Sequence, residues 1–470
     1  MMRAVVACFF HTQSKRLRTS DRGGHRGGQN RYGQIIIPAR YQTRTTWYTY
    51  IFLSKAGAEE KQMRVFAFGS NGSGQLAIGH TEDVSTPTEC LFTTPAPTDK
   101  ITKIVAGGNH TLLLTESGHV YAAGCNSDKR CGSTQSPCDQ YERQTSQTEE
   151  NILRFRRLIL TDRVTAKDVD TFKCISATWE GSVLVPSTAD KVFVLGSTPK
   201  GELGLGKDLP ATTPTQAFVE PGLTIPDFPP VGTTIVSVAS GMGHTVAILS
   251  NGQVYGWGGS RKGQLGASLK DEKIVWRPAK VGGVPFFATG AVCGREFTVI
   301  LGQRAAGEFT VLGDEGNRWG IMGIPDSLRV SSQQSGSGQK EYLDIGASWH
   351  GIYVHVSGHD SDSEIGPNSL NASAAGSLIA WGRNDRGQLP PPNFPPLSEI
   401  GVGSEHVLAV LEDGSVATFG WGEHGNCGPN TDARGNVAGK YNLIPRPNDV
   451  PGARVVGVSA GCATSWLIVE

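Results

Sequence analysis

From residue 65 to the end of the chain, short runs of alternating apolar and polar residues recur and break off at glycine. Runs such as Val254-Tyr255-Gly256-Trp257 have the two-residue period of a strand whose side chains face opposite ways. Two signatures take turns. The first ends a strand in Gly and is present seven times: Val65 to Gly69, Val120 to Gly124, Val192 to Gly196, Val254 to Gly258, Phe309 to Gly313, Leu378 to Gly382 and Val416 to Gly420. The second is a β-rich run interrupted by a Gly-x-x-His-Thr-like turn, clearest in Gly107 to Thr111 and Gly241 to Thr245. Weaker copies cover Ala177 to Ser182, Gly294 to Thr298, Ala347 to Gly351, Gly403 to Val407 and Gly461 to Ser465. Dipeptides such as Ser117-Gly118, Asn251-Gly252 and Asp413-Gly414 separate the two signatures within a unit, and these are short-hairpin chemistry. Each unit therefore predicts a small antiparallel meander.

A meander of this kind cannot bury both its faces alone, so neighbours must stack; seven stacked units predict an all-β, seven-bladed β-propeller. The register also predicts how the ring closes. The chain enters on the Gly-ended signature at 65–69 and leaves on the other one at Val458 to Val469. The first and last strands then share one blade, and their pairing removes the edges that a linear array would leave open. Successive landmarks lie between 38 residues (Gly382 to Gly420) and 72 residues (Gly124 to Gly196) apart, which predicts insertions at about 133–170, 207–232, 325–341 and 357–375. The propeller is expected to occupy residues 63–470.

Composition supports many tight turns. Gly accounts for 61 of 470 residues, nearly twice the usual ~7%, without the triplet period of collagen. No apolar run approaches the ~18 residues of a membrane helix, so no membrane span is expected. The formal charge of +0 hides an asymmetry. Residues 1–62 hold 11 Lys+Arg against 3 Asp+Glu, leaving 32 against 40 for the rest. Residues 1–62 are expected to be a disordered basic extension; Arg richness resembles a mitochondrial presequence, but the Gly-rich middle makes a poor amphipathic helix. Met63 stands directly before the first patterned run, which fits an upstream or mis-assigned start. The acidic body argues against direct nucleic-acid binding and favours a basic protein partner. Nine irregularly spaced Cys read as reduced thiols of a cytoplasmic or nuclear protein.

Seven units over 63–470, among them strand-ending Trp-Gly or Phe-Gly, a Gly-Gln-Leu turn and a Gly-x-x-His-Thr turn, resemble the regulator of chromosome condensation family of seven-bladed propellers. Further stretches are similar to one fungal branch, the alpha-tubulin suppressor or killer-toxin-insensitivity propellers. They are Val65 to Gly72 followed by Gly79-His80-Thr81-Glu82-Asp83, then Gly420 to Pro429 and Gly461 to Trp466. That resemblance implies a non-catalytic partner protein, a monomeric ring in a heterodimer with a small zinc-ribbon, iron-handling protein of diphthamide biosynthesis. Through the pair it implies support, indirectly, of Elongator-dependent tRNA wobble-uridine modification and of diphthamide formation. The alternative from the wider family is a guanine-nucleotide exchange factor for a small nuclear GTPase, although no wedge loop can be placed in any insertion.

Residues with chemical potential were weighed against packing roles. Seven residues after each landmark stand Leu76, Cys131, Leu203, Leu265, Gly320, Leu389 and Cys427, so Cys131 and Cys427 are expected to pack as small hydrophobes. Cys125, Cys131 and Cys138 lack the two-residue gaps of a zinc grip, and no metal or cofactor is expected there. His110, His244, His350 and His406 look equivalent in four units; the expected role is a turn-fixing hydrogen bond. No Gly-x-Ser-x-Gly elbow and no phosphate-binding Gly-x-x-x-x-Gly-Lys loop is present, so an enzyme has no sequence support.

Trp421 departs from the repeat. The place after the landmark holds Ser70, Cys125, Ser197, Gly259, Asp314 and Arg383 in the other units, and a departure from a scaffold's own rule is where function is expected. Trp421 with Glu423, His424 and Asn426 beside it reads either as an aromatic anchor for a partner or as packing over its own blade. Trp179 and Trp349, ahead of the His-like position together with Glu405, are further partner-contact candidates on loops. Trp466 reads as core.

Overall fold

In the computed structural model, the described residues run from Met63 to Glu470, leaving out 134–149, 198–199, 208–217, 314–315, 329–340, 357–375, 448–451 and 453. The predicted extension 1–62, the candidate ligand Cys138 and the 357–375 insertion lie outside them.

Seven antiparallel sheets of three or four strands follow one another around a ring. Their first strands are Val455–Ala460, Ile101–Ala106, Phe172–Ala177, Ile235–Ser240, Gly290–Cys293, Tyr342–Ser348 and Leu397–Val402, of blades 1 to 7 in that order. Each touches the next and the last touches the first, so together they line a central channel enclosing about 320 Å³. Blade 1 is the shared one. Val455–Ala460 and Thr464–Val469 give its two inner strands, Arg64–Gly69 and Val84–Glu89 its two outer ones. Arg64 pairs with Val469 and Gly69 with Thr464 in unbroken antiparallel register. Arg64–Gly69 and Thr464–Val469 thereby each have a paired strand on both sides.

The second strands explain why the alternating pattern reads apolar almost throughout. His110–Thr115, Gly181–Pro186, His244–Leu249, His406–Leu411 and Thr464–Val469 are buried along their whole length. Alternate side chains go to opposite neighbours: Leu113 joins the core shared with blade 1, Leu112 and Leu114 the core shared with blade 3. The apolar core is divided in this way into seven clusters, one for each gap between blades.

The Gly landmark has a steric cause. It ends the third strand of every blade with φ between 93° (Gly258) and 125° (Gly382), a region that costs L-residues. A Cβ at Gly124 would sit 2.4 Å from the Asn109 carbonyl oxygen, and one at Gly420 2.5 Å from that of Glu405. One expectation about the insertions changes. Asn151–Arg157, inside the 133–170 stretch, is the outer strand of blade 2, and Leu160–Thr161 with Asp168–Val169 forms a small separate hairpin. The outer strand needs no landmark glycine, so no signature marked it.

Candidate partner-docking face

Two families of loops meet on one face of the ring. The turn between first and second strands lies beside the loop that leaves the third, because the residue after the landmark donates its N–H back to that turn. Ser70 bonds Ala463, Cys125 bonds Asn109, Arg383 bonds His350 and Trp421 bonds Glu405. Adjacent turns are bonded through the backbone as well: Gly108 N–H to the Trp179 carbonyl, Trp179 to Met242, Arg295 to Trp349, Trp349 to Ser404 and Ser404 to Gly461. The result is a girdle of turn residues around the channel mouth.

Within the turns the strand register decides which residues are equivalent. His110, His244, Gly351 and His406 face the landmarks Gly124, Gly258, Gly382 and Gly420. His350 therefore stands one residue ahead of the other three histidines, and the expected four-fold equivalence is corrected to three. The cause is a swap of filler. In Gly-x-x-His turns the imidazole lies over the first glycine, 2.2 Å from where a Gly107 Cβ would be. In blades 3 and 6 the first residue is Thr178 or Ser348 and the fourth is Gly, with the hydroxyl folded onto that glycine's carbonyl.

The three aligned histidines bridge blades. Their Nε2 atoms sit 2.9 Å from the hydroxyls of Ser182, Thr298 and Ser465 on the following blade. Those hydroxyls donate in turn to the carbonyls of Arg130, Gln264 and Asn426. Burial holds His110 down to about 3 and His244 and His406 down to about 4, so all three are neutral around pH 7. Cys131 and Cys427 are buried where other blades bury Leu76, Leu203 and Leu265; burial raises both thiols, that of Cys427 to about 12.

The same register corrects the placing of the two tryptophans. Trp179 and Trp349 align with Gly108, Met242 and Ser404, while Glu405 aligns with Asn109, Gly243 and His350. From blades 3 and 6 their half-buried rings reach across the channel mouth to a centroid distance of 5.8 Å. Trp179 also covers Gly108, where a Cβ would come within 2.9 Å of the indole.

Trp421 ends its strand half-buried, with the Arg386 guanidinium of blade 6 at 5.0 Å from its ring and the His424 ring at 5.5 Å. Its Nε1 donates to the exposed Glu423 carboxylate at 3.2 Å. It packs against Arg386 of the neighbouring blade as well as against its own loop and stays half-exposed, so packing over its own blade alone is too narrow a description. His424 meets Asp83 of blade 1 at 2.9 Å. Asn426 is fully buried and donates to the Trp421 carbonyl; it shapes the turn from within and is removed from the contact surface. Trp466 is core.

A set of residues that sequence reasoning missed surrounds His350. Trp319 lies 6.1 Å from its ring, the Arg318 and Arg383 guanidiniums lie 4.7 and 5.2 Å from the Trp319 ring, and Arg295 lies 5.7 Å from Trp349. Burial and then Arg383, Arg295 and Arg318 hold His350 down to about 4. Arg383 is bound by Asp385 and by Glu405, which Arg386 also approaches at 3.4 Å. The available signal was Trp319, which occupies the place of Gln75, Gln264 and Gln388, six residues after the landmark.

The RCC1-like domain description matches residues 64–467. An RCC1 repeat-containing protein of Schizosaccharomyces pombe is 29% identical over 409 residues, 86% of this chain and 99% of that protein. A secretion-regulating guanine nucleotide exchange factor of Bos taurus is 25% identical over 85% of this chain and 81% of its own length. Among solved structures, human WBSCR16 superimposes with a TM-score of 0.59 at 19% identity, covering 87% of this chain and all of that one. At that identity the likeness speaks for the fold alone.

Proposed function

We propose that this chain, which belongs to the RCC1-like domain family, works as a non-catalytic scaffold that holds a small protein partner on the face built from its turns. The partner we infer is a small zinc-ribbon, iron-handling protein of diphthamide biosynthesis. The pair would act in the cytoplasm and nucleus, supporting diphthamide formation and, indirectly, Elongator-dependent tRNA modification. One observation carries the finer reading. The segments on which the fungal-branch resemblance rests come from opposite ends of the chain, yet they meet at a single seam. Asp83 receives His424, the Ala463 carbonyl receives the Ser70 N–H, and Asn426 receives the Ser465 hydroxyl. A local surface assembled from these segments, with Trp421 and Glu423 at its rim, supports a shared partner better than the common ring does.

The test is calorimetric titration of the full chain with the zinc-ribbon protein. Trp421→Ala should weaken binding about thirtyfold, the ~2 kcal/mol of a hot-spot aromatic, while Glu423→Lys should mainly change the association rate at low salt. The bovine relative's name keeps the exchange-factor reading in the same experiment. Accelerated nucleotide release from a small GTPase, with no zinc-ribbon binding, would replace the scaffold reading.

A further inference from the structure

The patch around His350 differs from the seam in charge and in what it leaves unused. Four arginines, Arg295, Arg318, Arg383 and Arg386, come together on blades 5 and 6. Two are matched: Arg383 grips Asp385 through Nε at 2.6 Å and Nη2 at 3.0 Å and also holds Glu405, and Arg386 reaches Glu405. The other two are exposed and, among the described residues, have no carboxylate partner. Each lies over an indole, Arg295 at 5.7 Å from the Trp349 centroid and Arg318 at 4.7 Å from that of Trp319. A cation–π contact of this kind holds a guanidinium in place without using its N–H donors. At the centre, His350 Nδ1 is buried without a hydrogen-bond partner.

We propose that this patch receives an acidic segment of a protein partner, with Arg295 and Arg318 each taking a carboxylate and the half-exposed rings of Trp319 and Trp349 covering intervening apolar side chains. Three features select that occupant. A carboxylate is what the adjacent Arg383 already binds in a two-pronged grip, so the unpaired forks repeat a geometry present beside them. A long polyanion such as nucleic acid would meet a body with 40 acidic against 32 basic residues outside the first 62, which disfavours it beyond the patch itself. A second copy of this chain offers from the same face only carboxylates that already hold a bond: Asp128 to Arg130 and Ser197, Glu202 to the Lys200 N–H, Glu180 to Ser197, Asp83 to His424 and the Asn71 N–H, and Glu423 to Trp421 Nε1, the last the weakest held. The body's overall acidity favours basic partners at long range, and this patch is the local exception.

The inference is independent of the zinc-ribbon reading. Its test is titration of the full chain with a blocked octapeptide of alternating Glu and Leu, its Gln-for-Glu twin, inorganic phosphate and a single-stranded oligothymidylate. The Glu peptide should bind, and the Gln twin should bind at least tenfold more weakly. Arg295→Ala and Arg318→Ala should each weaken the Glu peptide about tenfold, and Arg454→Ala, at a remote exposed ion pair, should change nothing. Proton NMR of His350 gives a second readout that survives a failed variant: with the carboxylates in place its titration should move upward from about 4. Equal binding of the Gln twin, insensitivity to both arginine variants, or matching affinity for phosphate or oligothymidylate overturns the proposal. So does sedimentation showing a dimer that Arg295→Ala dissolves, which would make a second copy the occupant. Peptide binding without zinc-ribbon binding would sink only the seam reading, and the reverse only this one.

Discussion

The turn between first and second strands is built twice over in this ring, for different ends. In blades 2, 4 and 7 it carries a histidine that turns inward, lies on a glycine and reaches a hydroxyl of the next blade. In blade 6 a Ser–Gly exchange fills the same space locally, and the residues between, Trp349 and His350, stay half-exposed among arginines. Blade 3 makes the same exchange with Thr178 and Gly181 and likewise displays a tryptophan, Trp179. When a small hydroxyl takes over the packing duty of the imidazole, the turn is released to carry large side chains outward. The lesson is that locking and display are alternatives within one turn, and that blades 2, 4 and 7 take the first and blades 3 and 6 the second.

The severest break removes an acceptor strand outright. Deleting residues 455–470 takes away Ser465, which His406 engages, and both inner strands of the shared blade. That leaves Arg64–Gly69 with an unpaired edge and uncovers the blade 7 side chains Leu408, Val410 and Val416, and the expected product is insoluble or lacks a cooperative melt by circular dichroism.

Next in size is a substitution at each kind of turn. His244→Ala opens a cavity and strips Thr298 of a buried partner, with an expected loss of ~2 kcal/mol or more in urea unfolding. His350→Ala should stay within ~0.5 kcal/mol. Equal losses would erase the distinction between lock and display.

Acid should then act on the three locks, and on His350 as well, which burial and then Arg383, Arg295 and Arg318 hold down to about 4. Their folded values of about 3 and 4 lie below the ~6.5 of an unfolded histidine. Below that pH the unfolded chain takes up protons that the folded ring refuses. The stability they contribute is complete above pH ~6.5 and is lost as pH falls towards 4, each histidine adding up to ~1.4 kcal/mol per pH unit. Urea midpoints at pH 7 and 4.5 measure the loss, and His244→Gln should make the profile shallower.

The smallest effect concerns the displayed pair across the channel mouth. A double-mutant cycle of Trp179→Ala and Trp349→Ala should give a coupling of ~0.5–1.5 kcal/mol, the range for aromatic pairs. A coupling of zero would mean that the rings do not meet in solution.

Much of this molecule is written in the chain because its constraints are local and repeated. A landmark glycine is required wherever a third strand passes a carbonyl at 2.2–2.6 Å from a would-be Cβ, so the same letter recurs seven times and counts the blades. The offset of the signatures at the two ends likewise pointed to the shared blade, in which Arg64–Gly69 pairs with Thr464–Val469. Cys131 and Cys427 were readable as core because other units place Leu seven residues after the landmark, and Trp466 because it takes the place of an aliphatic residue such as Val246 in its strand. The face was another matter. His350 was misaligned by one residue because a Ser–Gly exchange is invisible unless strand pairing shows which residue opposes Gly382. Asn426 looked like a surface neighbour of Trp421, but the loop turns its amide inward. Trp179 meeting Trp349, and Arg295, Arg318 and Arg383 gathering around His350, depend on the ring's curvature, which brings side chains of separate blades within 7 Å. No sequence period encodes that convergence; only closing seven blades around one channel creates it.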